Sequence, residues 1–360
     1  MKPRGDGGAA DGTNARAAGE LRGHCSCLRT LAGADPATYD PRRARVTAGV
    51  VPALTARVRA AVHPAADRCG CGTDTTVLAD RPDGTVVRHA DTVAKAHAPG
   101  TDPDELAARM AVAAHPALTG VLLPPLGAGA VDLHGRLVTF WPYGTPVDPD
   151  TPEAAPWEDA ATLLARLHRT PAAALPPGLP PMRGPAKAAR AVARLRAAGP
   201  HPAAAPVLRA WSVLPAWARG EAPMPHRPML CHGDLHLGQL VRAPAGEWLL
   251  IDIDDVGWGE PAWDLARPAA WFACGLLPPD EWTRFLAAYQ KADGPAVPAD
   301  ADPWPALDIP ARALSVQTAA LAIAKAAEAG RPLDEVEQAV IDACDRMAAH
   351  PPELPAGPSK

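Results

Sequence analysis

The sequence predicts an α+β protein of two lobes, a small β-rich N-terminal lobe followed by a larger helical C-terminal one. Three observations carry that expectation. Short runs of β-branched residues, punctuated by turn residues, crowd into residues 75–142. Beyond residue 157, apolar residues recur at helical spacing. A length of 360 residues fits two units at ~100–200 residues per domain. Apolar residues make up 48% of the chain, enough for a sizeable core. The 44 Pro and 30 Gly stay below the ~25–30% share of low-complexity disorder. The longest apolar stretch, around residues 269–277, is far shorter than the ~18–20 residues of a membrane span. The N-terminal MKPRGDGGAADG has no apolar core of a signal peptide. A soluble, cytoplasmic protein with no membrane partner is the expectation.

Residues 1–45 are rich in Gly, Ala and Arg without a hydrophobic period, and a disordered extension is expected there. From Val46, VTAGVVPALTARVRAAV has the spacing of a first helix. Strands are expected at 75–80, 85–89 and 92–97, joined by the turn Pro82-Asp83-Gly84 and the corner His89-Ala90-Asp91. Asp102-x-x-Glu105 opens a helix to about residue 114 as a capping box. A hairpin over 131–133 and 137–141 ends at Pro142-Tyr143-Gly144, the expected boundary between lobes of 46–144 and 145–360. In the second lobe, 157–168 carries apolar residues at Ala160, Leu163, Leu164 and Leu167, one face of an amphipathic helix. Further helices are expected at 186–198, 281–290, 309–329 and 333–348.

The net charge of −5 hides an asymmetry. Residues 1–120 carry +2, residues 121–209 carry +3 and residues 210–360 carry −10. So acidic a C-terminal part argues against nucleic acid as partner and suits a site for metal ions or a cationic ligand. Seven cysteines, an odd count, do not suggest a disulfide framework. Cys25, Cys27, Cys69 and Cys71, with His24, could supply soft zinc ligands, but Cys-x-Cys is not the usual spacing and free thiols are expected.

The chemistry is concentrated in residues 230–255. Apolar runs at 239–241 and 248–251 flank the turn Pro244-Ala245-Gly246 and read as a hairpin. Its two ends then lie side by side, bringing Asp234 and Gln239 close to Asp252. Two carboxylates and an amide oxygen converging at loop ends suit a hard cation such as Mg²⁺. A carboxylate left over can accept a proton from an attacking hydroxyl.

These residues resemble a known family. His232-Gly233-Asp234 with an amide five residues after the Asp, then Ile251-Asp252, then Gly259-Glu260-Pro261-Ala262-Trp263-Asp264-Leu265-Ala266, is similar to the aminoglycoside phosphotransferase family. The resemblance covers about residues 47–345. It implies a two-lobed protein-kinase-like fold, ATP or GTP as donor, Mg²⁺, and γ-phosphoryl transfer to a hydroxyl of a small molecule. Residue by residue it implies Asp234 as catalytic base, Asp252 as principal metal ligand, and Asp264 as a brace of the catalytic loop. Gln239 stands where the family has Asn, a longer side chain with the same amide oxygen. The string His236-Leu237-Gly238-Gln239 is similar to that of maltokinases, so a sugar kinase is the alternative, with a non-catalytic nucleotide-binding regulator as another. In the small lobe, Lys95 is the only lysine between positions 3 and 186, and the resemblance puts it on the donor phosphates. Glu105 is the candidate acidic partner of that lysine, in competition with its role in the capping box. Arg81-Pro82-Asp83-Gly84 takes the place of the phosphate-covering loop, and residues 140–144 that of the hinge beside the base. His168 and the tryptophans are expected to pack rather than react. The acids at Asp334, Glu335, Glu337, Asp342, Asp345, Asp300, Asp302 and Asp308 are expected to line an acceptor cleft and favour a cationic hydroxylated molecule over a neutral sugar. Oligomeric state is not legible.

Overall fold

A computed structural model describes residues 49–64, 71–225, 228–350 and 352. The expected extension at 1–45, and Cys25, Cys27 and Cys69, lie outside the described residues.

Among the described residues, the small lobe is one antiparallel sheet under one helix. Helix α1 (Val50–Val62) buries Val50, Leu54 and Val58, an i, i+4, i+8 stripe. The sheet comprises β1 (Thr75–Arg81), β2 (Gly84–His89), β3 (Thr92–His97), β4 (Val131–Leu133) and β5 (Arg136–Pro142), in the order β1-β2-β3-β5-β4. Strand β3 is central, so both its edges are paired. Its alternation does two jobs. Ala94 and Ala96 are buried with Val87 and Val138 against α1, while Lys95 and His97 point to the opposite face. Helix α2 (Pro103–Ala113) follows, with Asp102 accepting from the backbone N–H groups of Asp104 and Glu105. Pro103 opens it without loss, because its missing N–H would have been unpaired there.

The large lobe holds α3 (Trp157–His168), α4 (Gly184–Ala197), α5 (Ala204–Ser212), α6 (Ala262–Ala273), α7 (Pro279–Lys291), α8 (Trp304–Ala329) and α9 (Glu335–Ala349). Helix α8 packs against α4, α5, α6 and α9. Its buried residues occur all around the axis, as a central helix requires. Two small ribbons lie at the lobe junction. Strand β7 (Met229–Cys231) pairs with β10 (Gly257–Gly259), and β6 (Thr145–Pro146) pairs with β8 (Leu240–Arg242), which pairs with β9 (Trp248–Leu250). Among the described residues no helix is long and apolar enough to cross a membrane.

The strands of the small sheet and α3 fall where the sequence places them. Helices α5 and α6 and the β7–β10 ribbon were not expected. Helix α6 is buried along ten consecutive positions and contains Pro268, a residue that usually breaks helices. The start of helix α5 is hidden by Pro200, Pro202 and Pro206, which read as turn residues.

Candidate active site

Two ribbons and one helix assemble the site. Strand β7 leads directly into His232-Gly233-Asp234, and its pairing with β10 sets Cys231 opposite Gly257, which brings the Asp254-Asp255 turn alongside. The β8–β9 hairpin pairs Leu240 with Leu250, and Ile251 N donates to Gln239 O at 2.9 Å. Gln239 and Asp252 therefore emerge from adjacent hairpin ends, as the sequence expects. Gly233 has φ +85°, and a Cβ there would sit 2.5 Å from Asp255 O, so only glycine fits. Asp252 also has a left-handed backbone, φ +65°, a strained conformation for a residue with a side chain.

Asp264, near the start of α6, braces the loop. Its carboxylate accepts from His232 N at 2.6 Å and Gly233 N at 2.7 Å. His168 on α3 approaches the same carboxylate at 3.0 Å through Nε2, and its Nδ1 lies 2.8 Å from the Tyr289 hydroxyl. Because the carboxylate only accepts, His168 donates from Nε2 and receives the Tyr289 hydroxyl proton at Nδ1. His168 is thus more than packing: it orients the brace. Nothing in the sequence around residue 168 signals this, since the partner lies 96 residues away.

The carboxylates are held by cations. Lys95 Nζ lies 2.7 Å from Asp252 Oδ1 and 3.0 Å from Asp254 Oδ2, across the lobe junction. His97 Nδ1 lies 2.8 Å from the other oxygen of Asp254. Burial works against the Lys95 ammonium, but Asp252 and Asp254 outweigh it and hold the pKa well above the ordinary value. Asp234 is gripped on both oxygens, by Arg267 Nη2 and by Lys187 Nζ, each at 2.6 Å. Lys187 also reaches Asp255 at 2.6 Å. Burial would raise the Asp234 pKa, yet Arg267 and Lys187 hold it well below the carboxylate range. Asp255 goes the other way: burial raises it despite Lys187. His236, half-buried, is lowered to about 4 by burial and then by the Arg267 charge. Its Nδ1 accepts from Gly238 N at 3.1 Å.

Two expectations need correction. Glu105 does not meet Lys95. Its carboxylate accepts from Arg109 at 3.0 Å and from Arg183 at 2.8 Å. Arg109 in turn donates to Val256 O and Arg183 N donates to Asp255 O, so Glu105 fastens α2 to the loop carrying Asp254 and Asp255. The stronger electrostatic claim of two guanidinium groups explains the swap. Most of the acids expected to line a cleft are engaged with partners of their own. Asp345 pairs with Arg209, Asp308 with Arg312 and Glu337 with Arg331, while Asp334 and Glu337 form the capping box of α9. Asp342 accepts from Gln338.

Lys187 and Arg267 are the site residues that the sequence reading missed. Lys187 and Arg267 lie 47 and 33 positions from Asp234 and belong to no motif. One signal was available: only six lysines stand in the chain, so each invites a reason.

The sequence profile of the phosphotransferase enzyme family matches residues 73–308, about two thirds of the chain and all of this site. The chain belongs to that family. It is a phosphotransferase. A search of curated protein sequences finds no match. Among solved structures, the phosphotransferase is similar to a choline/ethanolamine kinase family protein from Mesorhizobium loti, with a TM-score of 0.51 at 17% identity, covering 84% of this chain and 94% of that one. It is similar also to a thermostable mutant of an aminoglycoside phosphotransferase in complex with AMP-PNP and hygromycin B, TM-score 0.50, 14% identity, 77% and 93% covered. A third is a phosphotransferase solved with GDP and kanamycin, TM-score 0.50, 15% identity, 82% and 96% covered. At these identities the likeness shows the shared kinase-like two-lobed fold.

Proposed function

We propose that this phosphotransferase moves the γ-phosphoryl group of ATP or GTP onto a hydroxyl of a small molecule, with Asp234 orienting that hydroxyl. The observation that carries the reading is the pair of cation-held carboxylate groups, Asp234 on one ribbon and Asp252 with Asp254 on the other, facing the lobe junction. The donor set fits a hard cation: Asp252, Asp254 and the amide oxygen of Gln239 supply only oxygen. Mg²⁺ bound there would neutralise phosphate charge. Lys95, rising from the central strand, is the small-lobe cation for the donor phosphates, and residues 140–144 would flank the base.

Asp234 stays ionised at neutral pH, held by Arg267 and Lys187. A carboxylate so acidic is a weak proton acceptor early in the reaction. Its contribution is alignment of the attacking oxygen, with the proton taken late, which suits a loose phosphoryl-transfer transition state. Lys187, 2.6 Å from both Asp234 and Asp255, adds positive charge beside the path of the transferred group.

For the acceptor, the −10 charge of residues 210–360 favours an amine-bearing polyol or amino alcohol. The pairing of Asp308, Glu337 and Asp345 with arginines removes those acids from the argument and favours a neutral sugar as the second reading. ADP release measured over aminoglycosides, amino alcohols and sugars separates the two. Turnover of the true acceptor should fall by about 10²–10⁴-fold in Asp234→Asn, with nucleotide affinity retained. Equal turnover in the variant would remove Asp234 from the mechanism. A KM that rises with salt marks the cationic acceptor, and a salt-independent one the sugar.

A further inference from the structure

We propose a zinc site in the small lobe, on the face away from the phosphoryl-transfer machinery, formed by His63, Cys71 and His89. His63 follows the last turn of α1, Cys71 precedes β1 and His89 ends β2. One donor atom from each lies within 4.8 Å of the other two. Cys71 Sγ and His89 Nε2 are 3.5 Å apart. A tetrahedral zinc, with bonds of about 2.3 Å to sulfur and about 2.0–2.1 Å to nitrogen, needs its S and N donors about 3.5 Å from each other. That edge of the tetrahedron is already formed.

The surroundings are those of a metal site. A ligating imidazole normally donates its other ring N–H to a fixed acceptor, which sets the tautomer. His89 Nδ1 lies 3.2 Å from Thr75 Oγ1, and Arg59 Nε donates to the same oxygen at 2.9 Å. With the proton on Nδ1 and donated to Thr75 Oγ1, the Nε2 lone pair faces Cys71. His63 Nε2 is buried and has no hydrogen-bond partner among the described residues. Its ring meets that of His89 edge-on, centroids 5.5 Å apart. Cys71 itself is exposed, which leaves an entry path and room for water as fourth ligand. Two imidazoles and a thiolate select zinc over Mg²⁺ or Ca²⁺.

Binding exchanges a proton for the metal. The Cys71 S–H bond breaks, a Zn–S bond forms and the proton passes to solvent. The lobe also has a use for such a clip. Among the described residues its core consists of eight buried apolar residues, two of them alanine, and so small a core gains from a cross-link. Zinc would tie the end of α1 to the first two strands.

The test uses the full chain and its Cys71→Ser variant, each loaded with Zn²⁺, dialysed and assayed for zinc per chain by mass spectrometry. The expected result is one zinc more in the unaltered chain, because metal held elsewhere cancels in the difference. Co²⁺ in place of Zn²⁺ should give a thiolate-to-metal charge-transfer band that vanishes in Cys71→Ser and in His63→Ala. The near-isosteric Thr75→Val should weaken zinc binding about 10–100-fold. Retained nucleotide affinity in Cys71→Ser shows that the fold survives. Equal zinc in the two chains, or a cobalt spectrum without the thiolate band, overturns the site.

Discussion

Asp234 illustrates how two neighbours decide what one carboxylate can do. Left alone at its depth, it would be driven towards the neutral acid by burial, yet Lys187 and Arg267 each take one of its oxygens and keep it charged. Lys187→Met should therefore lower kcat about 10²-fold with little change in nucleotide KM, and Lys187→Arg should restore part of the loss. The acidic limb of the kcat/KM profile should also move to higher pH, because the charge that depresses Asp234 is gone. A limb that stays in place would show that Lys187 acts on something else. His236 offers a separate reading of the same pocket. Its pKa is lowered to about 4 when folded, against about 6.5 when unfolded. Between those values the unfolded chain binds more protons, so stability falls as pH drops from about 6.5 to about 4. Urea midpoints at pH 7 and pH 5 should differ by less in His236→Asn, by on the order of 1 kcal/mol in stability. An unchanged difference would mean that His236 does not titrate as its surroundings require.

At the scale of elements, the helix after the small sheet works differently from expectation. Helix α2 presents Glu105 to Arg109 and Arg183, and through them holds the backbone of Asp255 and Val256. Glu105→Ala should cost about 1–3 kcal/mol, since Arg109 is buried and would lose a charged partner. The nucleotide KM should rise less than in Lys95→Ala. An equal rise in the two variants would place Glu105 with Lys95 when nucleotide is bound. These contacts also explain which parts were legible in the sequence. The β8–β9 hairpin is local: Gln239 and Asp252 stand at its two ends, and turn chemistry brings them together, whereas Asp234 is placed by the β7–β10 pairing. The small sheet was legible for the same reason, as a run of short hairpins. Contacts of long sequence separation were not. Glu105 finds Arg183 at a distance of 78 residues, and the motif around Asp264 gives no sign that His168 will meet it. Helix α6 is hidden because Pro268 falls inside it, a residue that reads as a helix breaker.

Across the whole molecule, the two lobes are unequally stabilised and joined through the site. Among the described residues the small lobe's core has eight buried apolar residues, whereas the large lobe's runs through every one of its helices. Between them lie Leu123, Val241 and Leu249, with the pairs from Lys95 and His97 to Asp252 and Asp254. Hydrophobic stabilisation scales with apolar area, so the strands β1–β3 should open at a lower free energy than α8. Of the ten tryptophans only Trp141 lies in the small sheet, so total tryptophan fluorescence reports on the large lobe. Amide protection in β1–β3 should accordingly be lost at a lower urea concentration than the fluorescence transition. Saturating Mg-nucleotide should draw the first transition towards the second, because a ligand that binds only the joined lobes stabilises by RT ln(1 + [L]/Kd). Asp252→Ala should abolish that shift, since it removes one of the two large-lobe carboxylates that meet Lys95 and the metal ligand proposed above. Coincident transitions in the absence of nucleotide would show instead that the ion pairs at the junction already make one cooperative unit of the two lobes.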